Sequence, residues 1–508
     1  MNHYSKPAVW YTGSDFTVSK LLSENILILN QLLPFGKSFD LIQRELYLGK
    51  TGEIRALWIG INGFCVTEIL EKIFSSLQKR ADVPNPESED SFDLISGDPA
   101  SLTRFSESRL GIAQLEYSSS FDEILSKLTS GNSVLFADGF GQAVIMDTRA
   151  YHSRGVEEPA LEKMTRGARD GFIEVLLTNV NLIRRRIRSP HLVFELHSIG
   201  KTGKNDTAVA YLRDRSDPEL VRKTNEALEK LNITALTMGT KSLEELLVKK
   251  RWWNPMPSLQ LTERPDVAAS YLAEGYVLIL ADNTPMALIL PSTIFQFTQT
   301  AEDYYKNPLV GTYLRLIRFL CIPAALLFLP LFLMLAAYYP QLAAKWGLIS
   351  TASVSRGRLF FYALAAEFFL ALFQYSASLS SDRFSGALSI VGGLLIGDMA
   401  VNLHWSSPEI LFYGGITLLA TLSVSCAELS DALRLYRMFL ILCVFSGGPP
   451  GFLAGLTLIL LSIFTTPTFA GYSYFWPLIP WNGKALVNLL LRTPTAKAQP
   501  SRVWKRSR

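Results

Sequence analysis

The sequence predicts a protein in two parts: an α/β domain, made of two related α/β modules, followed by an all-α domain that crosses a membrane several times. Three observations support this. The stretch 316–339 is apolar and has no charge after Arg318, and about 20 helical residues cross a bilayer core of about 30 Å. The chain before it is mostly polar and alternates strand and helix patterns. One strand-turn-strand pattern in that part occurs twice.

Average composition conceals this division. Hydrophobic residues make up 49% of the 508 residues and the net charge is +4, but the segment 319–480 carries few charges. The segment after Pro480 holds seven basic residues and no acidic one. Basic flanks stay on the cytoplasmic side, so we expect the tail 481–508 to be cytoplasmic. The start shows no signal-peptide pattern, and the large N-terminal domain is expected on the same side.

The N-terminal part is expected to begin with an extension at 1–37. Two modules follow, at 38–155 and 195–310, and a connector at 156–194 joins them. A shift of 144 residues aligns Val134–Asp138 with Leu278–Asp282, and a shift of 151 aligns Glu68–Leu70 with Glu219–Val221. Two offsets that nearly agree indicate a duplicated α/β module. Chance similarity is the alternative, because strand-turn-strand sequences draw on few residue types.

The connector is predicted to contain one long helix from Gly171 to Arg188, which Pro190 stops. It ends in a basic cluster: Arg184, Arg185, Arg186 and Arg188. Such a cluster could bind phosphate, acidic lipid or acidic protein. The alternative is a solvated face, or ion pairs with an acidic partner module.

The membrane domain is expected at 311–480, with about four spans: 319–338, 384–403, 409–427 and 438–464. The apolar stretch 359–375 is short and has a central glutamate, which favours a re-entrant or interface helix. A fifth span there would put the basic tail outside. Four spans leave both termini on one side.

Two patterns within the spans predict close contacts and a break. Gly386, Gly393 and Gly397 present a small face suited to helix–helix packing. The last span is interrupted by a helix break at Gly447, Gly448, Pro449, Pro450 and Gly451. Backbone groups freed at such a break must be buried in protein or line a watery path.

Glu367 and Asp398 are carboxylates within the apolar stretches. A charge at membrane depth is costly and commonly faces a bundle interior or a cavity. We therefore predict that these two residues lie on an ion path. The alternative places Asp398 at the membrane edge and Glu367 on an interface helix.

No pattern of a catalytic, metal or cofactor site was found. The four cysteines are scattered, and the five histidines show no metal-ligand spacing. The stretch 200–205 lacks the spacing of a phosphate loop. We therefore expect no enzyme activity, no catalytic residues, no metal, no cofactor and no nucleic-acid partner.

Several motifs resemble the A-subunit family of GerA-type spore germinant receptors, in collinear order from Ser38 to Arg492. They are 130–139, 147–149, 154–159, 166–172, 181–187, 262–266, 391–397 and 476–480. Within the family, Ser38–Asp40, Trp253–Pro257 and Pro480–Lys484 are most similar to the stage V sporulation protein AF branch. Asn62 stands where the family usually has Asp, and Asp398 where Gln or Glu is expected.

The resemblance implies a multipass protein of the inner membrane of bacterial spores, with a role in germination. It also implies a homo-oligomer that forms an ion channel, membrane lipid around it, and another germination membrane protein as partner. Two hypotheses remain open: a channel subunit that promotes release of cations from the spore core, or a membrane-anchored scaffold that assembles other germination proteins without conducting ions.

Overall fold

The structure of the chain is a computed structural model. It describes residues 16–48, 54–65, 67–78, 98–110, 112, 114–149, 167–248, 251–348, 355–379, 402 and 407–492. These residues form two compact units. The α/β unit lies within Met1–Leu247 and Leu261–Pro291, and the helical unit within Val248–Gln260 and Ser292–Gln499.

The first module of the α/β unit is a five-stranded antiparallel sheet of order β1-β2-β4-β5-β3. Its strands are β1 (Leu41–Leu48), β2 (Ile54–Ile61), β3 (Leu115–Ser118), β4 (Ser133–Ala137) and β5 (Ala143–Met146). Its helices are α1 (Leu22–Leu32), α2 (Thr67–Gln78), α3 (Pro99–Arg109) and α4 (Phe121–Thr129).

Both faces of this sheet are covered, which explains why β5 is apolar throughout and β4 is apolar after Ser133. Side chains alternate between the faces of a strand. Val134 and Phe136 join one apolar cluster with α1 and α4, while Leu135 and Ala137 join another with Trp58. A continuous apolar run therefore fills two cores.

The second module repeats this architecture, with strand order β6-β7-β9-β10-β8. Its strands are β6 (Leu192–Ile199), β7 (Asn205–Leu212), β8 (Gln260–Thr262), β9 (Val277–Ala281) and β10 (Ala287–Leu290). Its helices are α5 (Leu176–Arg186), α6 (Pro218–Glu229), α7 (Gly239–Leu247) and α8 (Pro265–Ala273). The predicted pair of related α/β modules is confirmed, and both sequence shifts align strands of equal position in the two sheets.

The first helix of each module is held in the same way, a part of the repeat that the sequence did not reveal. In the first module, the Asn25 side chain bonds both backbone groups of Ser19, at 2.8 and 2.7 Å. In the second, Asn179 bonds both backbone groups of Ile173, at 2.8 and 2.5 Å. Helix α1, within the predicted extension, therefore packs as part of the first module.

This clasp also corrects the predicted long helix from Gly171. Helix α5 begins only at Leu176, because Asn179 holds the chain at Ile173 in a non-helical conformation. The Leu176 N–H donates to the Asp282 carboxylate at 3.1 Å. Helix α5 is the counterpart of α1, so it belongs to the second module.

The helical unit contains α9 (Glu302–Tyr305), α10 (Pro308–Tyr338), α11 (Pro340–Lys345), α12 (Arg356–Leu379), α13 (Pro408–Leu422), α14 (Ala427–Phe464) and α15 (Gly483–Leu490). Helices α10, α12, α13 and α14 enclose its apolar core. Two of the helices in the described part, α10 and α14, are long and apolar enough to cross a membrane. Helix α13 is apolar but shorter.

Helix ends differ from the predicted spans at three places. Helix α12 extends beyond both ends of the predicted stretch 359–375. Helix α13 ends at Leu422, since the Ser423 and Val424 N–H groups bond carbonyls of its last turn. Helix α14 begins at Ala427 and not at Met438. Of the predicted span 384–403, the structure describes residue 402 alone.

Candidate functional site

A buried ion pair joins two helices of the helical unit. Glu367 of α12 accepts two hydrogen bonds from Arg437 of α14: Nε to Oε1 at 2.9 Å and Nη2 to Oε2 at 2.7 Å. Both side chains are only 2% exposed. This bidentate geometry is the strongest that an arginine and a carboxylate form.

Arg437 also bonds the other two helices of the core. Its Nη1 donates to the carbonyl of Ala325 in α10 at 2.5 Å and to the Thr421 hydroxyl of α13 at 3.1 Å. Thr421 in turn donates to the Thr417 carbonyl at 2.7 Å. One guanidinium therefore connects α10, α12, α13 and α14.

The geometry removes Glu367 from the set of available ion ligands in this state. Both carboxylate oxygens are bound to Arg437, so the pair is neutral and internally satisfied. Burying two charges costs several kcal/mol per ion, and only good geometry offsets it. The site can hold four helices together, and it can release a carboxylate only if Arg437 moves away.

Helix α14 is in fact a helical hairpin that folds back at Gly448. Gly448 has φ 59° and ψ −142°, far from helical values. The Tyr436 hydroxyl and the Ser462 hydroxyl, on opposite sides of this break, lie 2.7 Å apart. In a continuous helix, residues so separated would be about 39 Å apart. The two arms of α14, before and after Gly448, therefore pack against each other.

Small residues allow the two arms to approach closely. A Cβ on Gly451 would lie 2.1 Å from the Cys443 carbonyl oxygen, and one on Gly455 would lie 2.9 Å from the Leu440 side chain. The predicted break at 447–451 therefore supplies the packing surface as well as the turn.

Tyr338, the last residue of α10, bonds the backbone freed by the break. Its hydroxyl donates to the carbonyls of Val444 at 3.1 Å and Phe445 at 3.4 Å. The Phe445 carbonyl is the one that Pro449 leaves without a helical donor. The Arg356 guanidinium stacks on the Tyr338 ring, 4.7 Å from its centroid. The Tyr338 hydroxyl thus satisfies the Val444 and Phe445 carbonyls at the break.

A second buried charge cluster lies at the start of α10. Asp303 of α9 pairs with Arg315, with Nε at 3.2 Å, and with Arg318. Arg315 Nη1 also donates to the carbonyls of Asn488 and Leu489 in α15, at 3.1 and 3.3 Å. The sequence alone does not reveal that Arg315 and Arg318 pair with Asp303. Their pairing depends on long-range contacts that periodicity does not show.

The basic cluster is largely occupied by contacts within the α/β unit. Arg184 is 1% exposed and bonds Asp40 of the first module at 2.7 Å, and it also donates to the Leu192 carbonyl at 3.1 Å. Arg186 pairs with Asp170 at 2.6 Å, while Arg185 and Arg188 are exposed. Arg184 therefore joins the two modules, as the ion-pair alternative expected.

The remaining predicted site residues form two groups: those outside the described residues and those at the helix break. Asp398, Gly386, Gly393 and Gly397 lie outside the described residues. Gly447 has open space around its Cβ position, and the break residues surround the turn at Gly448. In the described part of the chain, no group of three or more His, Cys, Asp or Glu side chains is placed to hold a metal ion.

Comparison with known proteins gives a family match over nearly the whole chain. The model of the family described as "Bacillus/Clostridium GerA spore germination protein" matches residues 30–502.

Individual relatives agree with this match. The chain is 35% identical to stage V sporulation protein AF of Bacillus subtilis (strain 168), over 81% of this chain and 83% of that protein. It is 27% identical to spore germination protein KA of the same organism, over 94% and 85%. It is 28% identical to spore germination protein GerLA of Bacillus cereus, over 73% and 75%.

Among solved structures, the chain is similar to the N-terminal domain of the A subunit of the Bacillus megaterium spore germinant receptor GerK3. The identity is 25% and the TM-score is 0.40, with 54% of this chain and 95% of that chain covered.

Proposed function

Because this chain belongs to the Bacillus/Clostridium GerA spore germination protein family, we propose that it is an oligomeric ion-channel subunit that promotes release of cations from the spore core during germination. The carrying observation is the neutral Glu367–Arg437 pair at the centre of four apolar helices. A protein that only needs an anchor in the bilayer has no use for so costly a group there.

A multipass arrangement is supported by the surfaces of these helices. Large apolar side chains are exposed on all four, including Leu320 of α10, Phe361 of α12, Leu419 of α13 and Leu453 of α14. Water penalises such surfaces, whereas lipid does not. The proposal keeps about four spans in the inner spore membrane, with the α/β unit and the basic tail in the cytoplasm. Because α14 folds back at Gly448, it does not count as one of these spans.

In this proposal, Glu367 and Asp398 have different roles. Glu367 acts as part of a latch, because Arg437 holds both of its oxygens in the closed state. Asp398 remains the proposed carboxylate of the cation path, since rings of acidic side chains select cations in channels. The face formed by Gly386, Gly393 and Gly397 is proposed to bring several copies together. A second germination membrane protein is the proposed partner.

Cation flux from liposomes that contain the purified full chain tests this proposal. The wild type should leak K⁺, and Asp398→Ala should reduce the leak at equal protein content. Asp431→Asn is the matched control, because Asp431 is a carboxylate of the same unit that is 66% exposed. Its leak should equal that of the wild type.

A folded, oligomeric protein that gives no leak, or a leak that Asp398→Ala leaves unchanged, would contradict the channel. That outcome would support the scaffold, in which the α/β unit binds other germination proteins. In the basic cluster, Arg184 is buried, whereas Arg185 and Arg188 are exposed. The burial of Arg184 weakens a scaffold that would bind its partners through this cluster.

A further inference from the structure

We propose that the helical unit has a specific binding site for an anionic phospholipid, formed by Arg251, Trp252 and Trp253 together with the two arms of α14. The proposal depends on a membrane location but not on ion conduction. It begins from an unusual exposure: Trp252 is 96% exposed and Trp253 is 48% exposed. In membrane proteins, exposed tryptophans are typical of the boundary between lipid headgroups and acyl chains.

The segment is firmly anchored to α14 although its tryptophans are exposed. The Asn254 side chain donates to the Ser462 carbonyl and to the Thr466 hydroxyl, both at 3.1 Å, and accepts from the Tyr436 hydroxyl at 3.2 Å. Asn254 is buried. These bonds to both arms of the hairpin fix the position of the tryptophans next to it.

Beside this segment is a cavity of about 640 Å³. Leu435 and Phe439 of the first arm and Leu458 and Leu461 of the second arm form its apolar wall. This volume lies in the range of about 300–1,000 Å³ found for small-molecule sites. The wall residues are themselves exposed, so the cavity opens onto a surface that lipid would cover.

Charge indicates which amphiphile fits. The Arg251 guanidinium lies 5.6 Å from the centroid of the Trp253 ring, at the edge of the cavity. Among the residues that the structure describes, no acidic one lines the cavity, and the two residues before Arg251 in the sequence are lysines. A basic edge beside an apolar wall matches a phosphate headgroup attached to acyl chains. The acyl chains of a zwitterionic lipid can pack on the same apolar wall, but its neutral headgroup is attracted less strongly to Arg251.

Native mass spectrometry of the detergent-purified full chain tests the site. Phosphatidylglycerol and phosphatidylcholine with identical chains are titrated separately. The wild type should bind phosphatidylglycerol more tightly. Arg251→Gln should weaken that binding about fivefold, the effect of one basic side chain near an anionic surface, and should leave phosphatidylcholine unchanged. Arg358→Gln is the control, because Arg358 is an exposed arginine of the same unit that does not line the cavity, and it should leave the binding of both lipids unchanged.

A second variant tests the apolar wall independently. Leu458→Trp fills part of the cavity and should weaken binding of both lipids. Equal phosphatidylglycerol binding by wild type, Arg251→Gln and Leu458→Trp would overturn the proposal. So would conversion of an oligomer to monomers by Leu458→Trp without loss of lipid, since this face would then be covered by a second copy of the chain.

Discussion

At the residue scale, the carboxylate of Glu367 and the guanidinium of Arg437 neutralise each other in an apolar core. Seventy sequence positions separate them. The sequence singles out Glu367 because an acid in an apolar stretch is conspicuous. Arg437 stands directly before the predicted span 438–464, so the sequence pattern does not mark it as a buried residue. Because α14 begins at Ala427, Arg437 lies well inside the helix.

Removing one member of the pair should destabilise the protein strongly. Glu367→Leu leaves a buried, uncompensated guanidinium, which costs about 3–5 kcal/mol. The double variant Glu367→Leu/Arg437→Met should recover most of that loss, because no charge is left buried. Thermal unfolding of the detergent-purified chain measures both effects.

Asp431→Asn is the control for this comparison, since Asp431 is 66% exposed and its pair with Arg434, at 3.7 Å, contributes about 0–1 kcal/mol. If the double variant unfolds as early as Glu367→Leu, the pair is not the source of the stability and the account of the core fails.

At the element scale, the turn at Gly448 makes α14 a hairpin. The sequence predicted the break from its glycines and prolines, but it did not predict reversal. A break in a helix is a local property, whereas reversal depends on how the two arms pack. That packing uses Gly451, Gly455 and the Tyr436–Ser462 contact, which are separated in sequence.

Gly448→Ala should disrupt the hairpin while Gly447→Ala should not. Gly448 has φ 59° and ψ −142°, a conformation that is strained for every residue except glycine. A Cβ at this position would lie 2.8 Å from the Tyr338 ring. We expect a loss of at least about 1–3 kcal/mol from backbone strain. At Gly447 a Cβ has open space. Melting temperatures of the two variants side by side measure the difference; equal values would contradict the described turn.

The repeated asparagine clasp gives a second prediction about elements. Asn25→Ala and Asn179→Ala each remove two hydrogen bonds to backbone in equivalent places. Each should cost about 1–3 kcal/mol. Gln31→Ala, an exposed change on α1, should have almost no effect. Urea denaturation of the full chain is the measurement, and a large effect of only one asparagine variant would show that the two clasps are not equivalent.

At the scale of the whole molecule, the two-part division, the duplicated modules and the first apolar helix were predictable from sequence. Each depends on patterns within a short stretch or on repetition of one. What could not be predicted depends on distant contacts: Arg184 with Asp40, Arg437 with three other helices, and Asn254 with α14.

The central claim is that the helical unit conducts cations along a path that includes Asp398. Single-channel recording in planar bilayers with unequal KCl on the two sides tests it most directly. The account predicts a cation-selective reversal potential for the wild type. Asp398→Lys should shift this potential toward that of chloride, and Asp431→Lys should leave it unchanged. Channels whose selectivity is the same in wild type and Asp398→Lys, or no channels from folded oligomeric protein, would contradict the account.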